Sequence, residues 1–238
     1  MINKLVKILK LTQLELKNYL QIELKKYYKE DKIYVEDGGI VVFGDLNITL
    51  IAHMDIKNEN PPEEVYIEEG RVHANGQILG GDDRCGISII LQLLNEGYRP
   101  NIIFTEDEEI GSIGIKKLMS NGKLIDKIVL MSAYLLQLDR KNSNDYVMYD
   151  CDNYLLDAHM TNFGYEKKRG SSTDIKHISN HYNIASVNIS VGYYDEHTEN
   201  EYVVIDEFVN AYQLVKKQLE NIPNQHLENY NFNEAYSY

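Results

Sequence analysis

Acidic and histidine side chains follow the ends of several predicted strands in this sequence. They occur in five short segments: His53-Met54-Asp55, Asp82-Asp83, Glu108-Glu109, Leu138-Asp139-Arg140 and His197 within GYYDEHTEN. Folds that alternate strands with helices bind their ligands just past the carboxyl ends of the strands. Imidazole and carboxylate ligands without thiolates suit a catalytic zinc site, or a cobalt or manganese site, and leave room for water. The five segments therefore predict a catalytic metal site.

The elements that must position these segments are predicted from hydrophobic pattern and turn residues. Strands are predicted at 33–36, 40–43, 48–52, 101–105, 128–132 and 185–191, with an alternating stretch over 65–72. Helices are predicted at about 12–30, where Thr12 and Glu15 fit a capping box, at about 81–97, and from Asp206 to about 220. This alternation indicates an α/β fold, a three-layer sandwich with a central mixed sheet flanked by helices.

Composition argues against several classes of partner. The 238 residues are 43% hydrophobic and 26% charged, which is typical of a globular protein. The formal net charge of −13 argues against a nucleic-acid binder or an anionic-membrane binder, because those partners attract basic patches. We find no apolar run of about 18 residues and no signal-peptide pattern, so we expect a cytoplasmic protein.

The segments also resemble a known family when they are taken in order. HMD, GGDDRCG, TEDEEIG, LDR and GYYDEHT resemble the co-catalytic di-zinc exopeptidases, which include bacterial zinc aminopeptidases, peptidase T and glutamate carboxypeptidase. The resemblance spans about 48–202, and every expected metal-ligand position is filled. Each motif is weak alone, but five in the correct order are a specific signal. The resemblance implies a zinc-exopeptidase-like sandwich.

The resemblance implies a ligand set for two divalent metal ions, zinc or alternatively cobalt or manganese. Asp82 would bridge the two ions. His53 and Asp139 would complete one site, and Glu109 and His197 would complete the other.

The same resemblance implies roles for two further acids. Glu108 would be the general base that takes a proton from the attacking water, and Asp55 would orient His53. In this family the peptide bond that follows the bridging acid is cis, which here is the bond between Asp82 and Asp83.

A third part of the resemblance concerns the substrate pocket. The segment RGSSTDI, residues 169–175, resembles the family's stretch of small residues and Asp that lines the pocket. Asp174 is therefore a candidate substrate contact. Tyr193 and Tyr194 are candidate pocket walls, although tyrosines at a strand end serve equally often as packing residues.

Two gaps between motifs bear on domain organisation, because many family members carry a second domain inserted in one of them. The gaps, His53 to Asp82 and Asp139 to Ser171, are 29 and 32 positions long. A domain needs at least about 50 residues. We therefore predict a single catalytic domain over 1–238 without a lid, with a loosely ordered tail over about 221–238.

The favoured function is that of a metal-dependent hydrolase, an aminopeptidase that cleaves short peptides. An N-acyl amino acid deacylase or a carboxypeptidase-like amidohydrolase is the alternative enzyme, because the same metal centre serves both and only the pocket decides. A catalytically silent, metal-stabilised binding protein is the alternative from another class, although Glu108 argues against it because a structural site needs no base. Side-chain preference, native metal and oligomeric state do not follow from the residues.

One rival metal site is present in the sequence. His177 and His181 form an HxxxH pair that would share one helix face, but the pair lacks the glutamate of the HExxH motif. We interpret it as a solvated helix face.

Overall fold

The structure is a computed structural model that describes residues 1–58, 60–149, 151–170, 172–227 and 230–231. The helices are α1 (Ile2–Leu9), α2 (Gln13–Leu24), α3 (Gly81–Asn95), α4 (Ile113–Ser120), α5 (Lys123–Leu130), α6 (Tyr154–Asn162), α7 (Asp174–Tyr182) and α8 (Ile205–Leu219). The strands are β1 (Ile33–Glu36), β2 (Gly39–Val42), β3 (Thr49–His53), β4 (Val65–Glu68), β5 (Arg71–Ala74), β6 (Asn101–Thr105), β7 (Leu135–Arg140), β8 (Asp145–Val147), β9 (Cys151–Asp152), β10 (Glu166–Lys167), β11 (Ser186–Ser190), β12 (Tyr193–Tyr194), β13 (Tyr202–Val204) and β14 (Tyr230–Asn231).

A mixed sheet forms the centre of the molecule, in the order β1-β2-β6-β3-β7-β11-β8-β10. The strands β6, β3, β7 and β11 run parallel to one another. On either side, β2 pairs antiparallel with β6, and β8 pairs antiparallel with β11. The strands β2, β3 and β6 are buried along their whole length, as expected for a sheet covered on both faces.

Helices cover both faces of this sheet, which confirms the predicted three-layer sandwich. Successive side chains of a strand point to opposite faces. Leu50 and Ala52 of β3 accordingly pack in an apolar cluster with α1, α2, α3 and α8. Ile51 between them packs in a second cluster with α4, α5 and α7.

A smaller antiparallel sheet, in the order β12-β13-β5-β4, was not predicted from the sequence. The alternating stretch over 65–72 supplies its β4–β5 hairpin, which turns at Glu69 and Gly70, both at positive φ. β13 pairs with both β5 and β12. The sheet therefore fixes both ends of the loop 195–201, which carries His197.

The observed helix boundaries differ from the prediction at two places. The Thr12 and Glu15 capping box is present, but α2 ends at Leu24 and not near residue 30. Just beyond this end, the Tyr28 hydroxyl donates a hydrogen bond to the carbonyl of Pro100, a tertiary contact that helical spacing does not reveal. α8 begins at Ile205, so Asp206 lies in its first turn and is not its cap.

The strand predicted over 128–132 is wrong, because these residues end α5 and the strand is β7. Ile125, Ile128 and Val129 recur at helical spacing and are buried in the second cluster. A short apolar run fits a buried helix as well as a buried strand, and here the helix is what forms.

The tail predicted over about 221–238 lies partly outside the described residues. In its described part, Leu227 is buried and its N–H donates to the carbonyl of Ala133. Its carbonyl in turn accepts a hydrogen bond from Ala185 N. The single-domain organisation stays a prediction. Among the described residues, no helix is both long enough and apolar enough to cross a membrane.

We expect Gly114→Ala to destabilise the fold beneath the acidic loop 106–109. A Cβ at Gly114 would lie 2.1 Å from the carbonyl oxygen of Glu106 and 2.5 Å from that of Gly38. The free energy of unfolding, measured by urea denaturation, should fall by about 1–3 kcal/mol, as is typical of overpacking. Ser120→Ala, at an exposed position of the same helix, is the control and should change it by less than about 0.5 kcal/mol. Equal stability of both variants would contradict the close approach.

Candidate metal centre

The five predicted ligands meet at the carboxyl ends of the parallel strands. His53 ends β3, Asp139 lies near the end of β7, and Glu109 follows β6. Asp82 lies at the start of α3, and His197 lies in the loop between β12 and β13. The small sheet and the central sheet thus bring residues from distant parts of the chain to one place.

Asp82 lies between the two imidazoles. Its Oδ1 is 3.1 Å from His53 Nε2, and its Oδ2 is 3.1 Å from His197 Nε2. His53 Nε2 is also 3.6 Å from Asp139 Oδ1. A carboxylate that turns its two oxygens to opposite sides has the geometry of a bridging ligand. The peptide bond between Asp82 and Asp83 is cis, as the resemblance implies.

The contact between Glu109 and His197 fits a shared cation better than a hydrogen bond. Glu109 Oε1 is buried and has no hydrogen-bond partner among the described residues. His197 Nε2 nevertheless lies only 2.7 Å away. The two atoms approach each other without the alignment of a hydrogen bond, as two ligands of one ion do. This donor set of nitrogen and oxygen atoms suits zinc, cobalt or manganese.

Asp83 is the rival of Asp82 as a ligand. His53, Asp83 and Asp139 have ligand atoms within 4.8 Å of one another, as do His53, Asp82 and Glu109. Both oxygens of Asp83 are already engaged, however, because Oδ2 accepts from His53 N and Oδ1 accepts from the N–H three residues on. Burial, with the neighbouring charge of Asp139, raises the pKa of Asp83 well above its usual value. Asp82 is therefore the better candidate for the bridge.

The surrounding carboxylates favour the protonated form of both histidines in the metal-free protein. Burial opposes the protonated form of His53, but hydrogen bonds to the surrounding carboxylates, Asp139 foremost, raise its pKa well above its usual value. The carboxylates of Asp82 and Glu109, both close to the ring, raise the pKa of His197 to about 10. Burial raises the pKa of Asp82, yet the same two histidines hold it well below its usual value. A metal ion binds the neutral imidazole, so cations and protons compete for this site.

Asp55 connects His53 to the acidic loop. Its Oδ1 lies 3.2 Å from His53 Nδ1 and accepts a hydrogen bond from Glu108 N at 3.0 Å. Its Oδ2 accepts one from Glu109 N at 2.9 Å. One carboxylate thus orients an imidazole and also fixes the backbone that carries both glutamates. The sequence predicts only the first of these roles.

Glu108 faces a cavity of about 330 Å³ that opens over the site. Within the described chain, its carboxyl group makes no hydrogen bond or ion pair. Burial raises its pKa to about 8, and the negative charges of Asp139, Asp174 and Asp82 add to the rise, while His53 opposes it. The side chain is therefore placed to exchange a proton with a molecule in the cavity.

The three predicted substrate contacts lie in different surroundings. Tyr193 lines the cavity, and its hydroxyl donates to Asp139 Oδ1 at 3.3 Å. The hydroxyl of Tyr194 donates to Glu207, and Tyr194 does not line the cavity. Asp174 is completely buried and does not line the cavity either. The geometry thus supports Tyr193 as a pocket wall and offers no contact surface on the other two.

Sequence reasoning missed Glu201, which positions Asp82. The side chain is buried, and its two oxygens accept hydrogen bonds from Gly80 N at 2.8 Å and from Asp82 N at 3.1 Å. A negative charge is favourable here because it faces the amino end of α3. Glu201 is one of several acids in DEHTENE, and no local pattern distinguishes it from exposed neighbours such as Glu199.

Two further missed residues hold Asp139. Its Oδ2 accepts hydrogen bonds from Gln137 Nε2 at 2.8 Å and from Thr173 Oγ1 at 2.6 Å. Gln137 lies two positions before Asp139 on the same face of β7, a period-two signal that is present in the sequence. Thr173 precedes α7, and only the tertiary fold brings it to this strand.

Comparison with known proteins identifies the fold. No protein-family model and no curated protein matches this sequence. The chain is similar to aminopeptidase PepT from Bacillus cereus ATCC 10987, with a TM-score of 0.72 and 14% identity over 92% of this chain and 97% of that chain. It is similar to a tripeptidase from Staphylococcus aureus subsp. aureus Mu50, with a TM-score of 0.69 and 15% identity over 93% and 96% of the two chains.

A third similar structure is aminopeptidase APDkam598 from the archaeon Desulfurococcus kamchatkensis, with a TM-score of 0.68 and 15% identity over 92% and 94% of the two chains. At these identities the likeness concerns the fold. The chain has the fold of these peptidases, and that fold agrees with the three-layer sandwich predicted from the sequence.

We expect Asp82→Asn to weaken the binding of two metal ions at once, because one carboxylate faces both ligand groups. His197→Ala should chiefly weaken the ion that it shares with Glu109. Titration calorimetry with zinc, together with elemental analysis of the dialysed protein, measures both effects. If Asp82→Asn kept two ions at unchanged affinity, the bridging role would pass to Asp83.

Proposed function

We propose that this protein is a metal-dependent aminopeptidase that hydrolyses short peptides with the help of two divalent cations. The observation that carries the proposal is the Asp82 carboxylate, whose two oxygens face a separate histidine on each side. The proposal is also supported by Glu108 in the same cavity, whose carboxyl makes no hydrogen bond or ion pair with any described residue. The similarity in fold to proteins named aminopeptidase and tripeptidase favours a peptide as substrate.

The five ligand residues divide into two groups around Asp82. His53 and Asp139 would hold one cation with it, and Glu109 and His197 would hold the other. When bound, two such cations supply a Lewis acid for the scissile carbonyl and a nucleophilic water near neutral pH. Zinc suits this donor set, with cobalt and manganese as alternatives.

Proton transfer falls to Glu108 in this account. Its carboxylate would take a proton from the attacking water and pass it to the leaving nitrogen, which is general acid–base catalysis. Asp55 accepts hydrogen bonds from the backbone N–H groups of Glu108 and Glu109, so the backbone that carries the base is fixed at two successive residues. A base must keep its position relative to the scissile bond, and these hydrogen bonds preserve that position.

The alternatives differ in what the cavity accepts. A deacylase or a carboxypeptidase-like amidohydrolase would use the same centre on an N-acyl amino acid. A silent binding protein would have ligands but no need for a free carboxyl at the position of Glu108. The carboxyl of Glu108 favours an enzyme over a silent binding protein. The rates on different substrates distinguish an aminopeptidase from a deacylase or a carboxypeptidase-like amidohydrolase.

A substrate panel tests the reaction class. We expect the protein reconstituted with zinc, cobalt or manganese to hydrolyse free dipeptides and aminoacyl-anilides faster than N-acyl amino acids, and to lose activity in excess chelator. The reverse order of rates would support the deacylase. Full activity in excess chelator would contradict any metal-dependent mechanism.

We expect Glu108→Gln to lower kcat by about 10²–10⁴ while fold and metal content persist, because glutamine keeps the size of the side chain but accepts no proton. Glu109→Gln should lower the metal content itself, because a neutral amide is a poorer ligand. The measurements are steady-state kinetics and elemental analysis of both variants, with the exposed Glu199→Gln as a control that should leave both unchanged. A Glu108→Gln variant with near-parental turnover would exclude this residue as the base.

A further inference from the structure

A second cleft lies between α4 and α7, outside the metal centre. It has a volume of about 400 Å³ and shares no lining residue with the cavity over Asp82. The described residues that line this α4–α7 cleft include no acid, and four of them carry an amine or an imidazole: they are Lys116, Met119, Lys176, His177, Asn180 and His181. The HxxxH pair of the sequence therefore forms one wall of a cleft.

The two helices differ in charge from the rest of the chain, whose formal net charge is −13. α4 carries Lys116 and Lys117 and no acid. The one acid of α7, Asp174, is completely buried and does not line the cleft. A local excess of positive charge in an acidic protein attracts anions.

The two histidines add hydrogen-bond donors to this charge. His177 and His181 are four residues apart, so they lie on one face of α7. Neither imidazole makes a hydrogen bond or an ion pair within the described part of the chain. Burial lowers the pKa of His177, and the positive charges of Lys116 and Lys176 lower it further. A neutral imidazole still donates one N–H, so the ring offers a donor that needs no charge.

Lys116 supplies positive charge from the opposite helix. Its Nζ donates a hydrogen bond to the carbonyl of Gly111 at 2.7 Å, which uses one of the three N–H groups of an ammonium. The other two are available to a ligand in the cleft. A metal ion bound by the histidine pair would lie near the ammonium groups of Lys116 and Lys176, and like charges repel. The charges therefore favour an anion over a cation.

We propose that the α4–α7 cleft binds the phosphate group of a small molecule, with Lys116 supplying charge and the two histidines supplying N–H donors. A phosphate group carries up to two negative charges and several acceptor oxygens, and lysine is a common phosphate ligand. Ligand pockets run from about 300 to 1,000 Å³, so the cleft also has room for a small organic group. The phosphate has two possible sources, inorganic phosphate and a phosphate ester. Such a site is separate from the metal centre and does not depend on the proposed reaction.

Titration calorimetry with the full chain tests the site. The protein is used free of metal, because the carboxylates of the other cavity then repel anions. The probes are inorganic phosphate, glucose 6-phosphate and acetate. We expect a Kd of about 1 mM or below for at least one phosphate probe, and binding of acetate at least about tenfold weaker, because acetate has one charge and two oxygens. Tighter binding of glucose 6-phosphate than of phosphate would identify an ester as the ligand, and the reverse order would identify inorganic phosphate.

Variants assign the binding to the cleft. Lys116→Gln and His177→Gln should each weaken phosphate binding, and the double variant should weaken it by at least about tenfold, because charge-assisted hydrogen bonds are lost. Lys117→Gln is the matched control, since Lys117 is exposed on the same helix, pairs with Asp37 and does not line the cleft. Circular dichroism verifies that every variant is folded.

Three results would overturn the site. The parent protein binds neither phosphate probe, or it binds acetate as tightly as phosphate. The double variant keeps the parental affinity. Lys117→Gln loses as much affinity as Lys116→Gln, which would indicate attraction by surface charge without a site.

Discussion

Buried negative charge at the carboxyl ends of the parallel strands is the constraint on which the site depends. Ionised carboxylates are costly to bury unless they are paired or bind a cation. Burial raises the pKa of Asp139 to about 7 and that of Glu201 to about 7, and it raises the pKa of Glu108 to about 8. These carboxylates lie among too few positive groups to stay ionised at low cost. Divalent cations held by Asp82 and the other four ligands, close to these carboxylates, would supply the missing charge.

The rest of the site serves to hold this charge in one arrangement. Glu201 fixes the backbone before and at Asp82, and Asp55 fixes both His53 and the acidic loop. Asp83, next in sequence to Asp82, is buried and does not line the cavity. Its two oxygens accept hydrogen bonds from backbone N–H groups. Neighbouring carboxylates therefore differ in function. Asp82 faces the proposed cations, whereas Asp55, Asp83 and Glu201 accept hydrogen bonds from the backbone.

The positions of the candidate ligands could be predicted because each follows a strand or opens a helix with a clear local pattern. β3 ends in His53 and β6 runs into the acidic loop, and parallel strands must bring these ends together. The resemblance to the di-zinc exopeptidases then implied which groups would lie on each side of Asp82. Local sequence pattern was sufficient wherever the position of a residue depended only on the strand or helix that carries it.

Prediction failed where tertiary contacts decide. The end of α5 is a short apolar run, which fits a strand as well as a buried helix until its packing is known. The small antiparallel sheet joins β5 to β13 across a long stretch of sequence, so no local signal revealed it. Glu201 is an ordinary charged residue in the sequence, and only its burial in the folded chain distinguishes it.

The central claim is that Asp82 joins two cations through its two oxygens. A crystal structure of the zinc-loaded protein, with anomalous difference maps recorded above and below the zinc absorption edge, tests it most directly. The account predicts two peaks about 3.5–4 Å apart on opposite sides of the Asp82 carboxylate. One peak should lie beside His53 and the other beside His197. A single peak, or a peak bound by Asp83 in place of Asp82, would contradict the account.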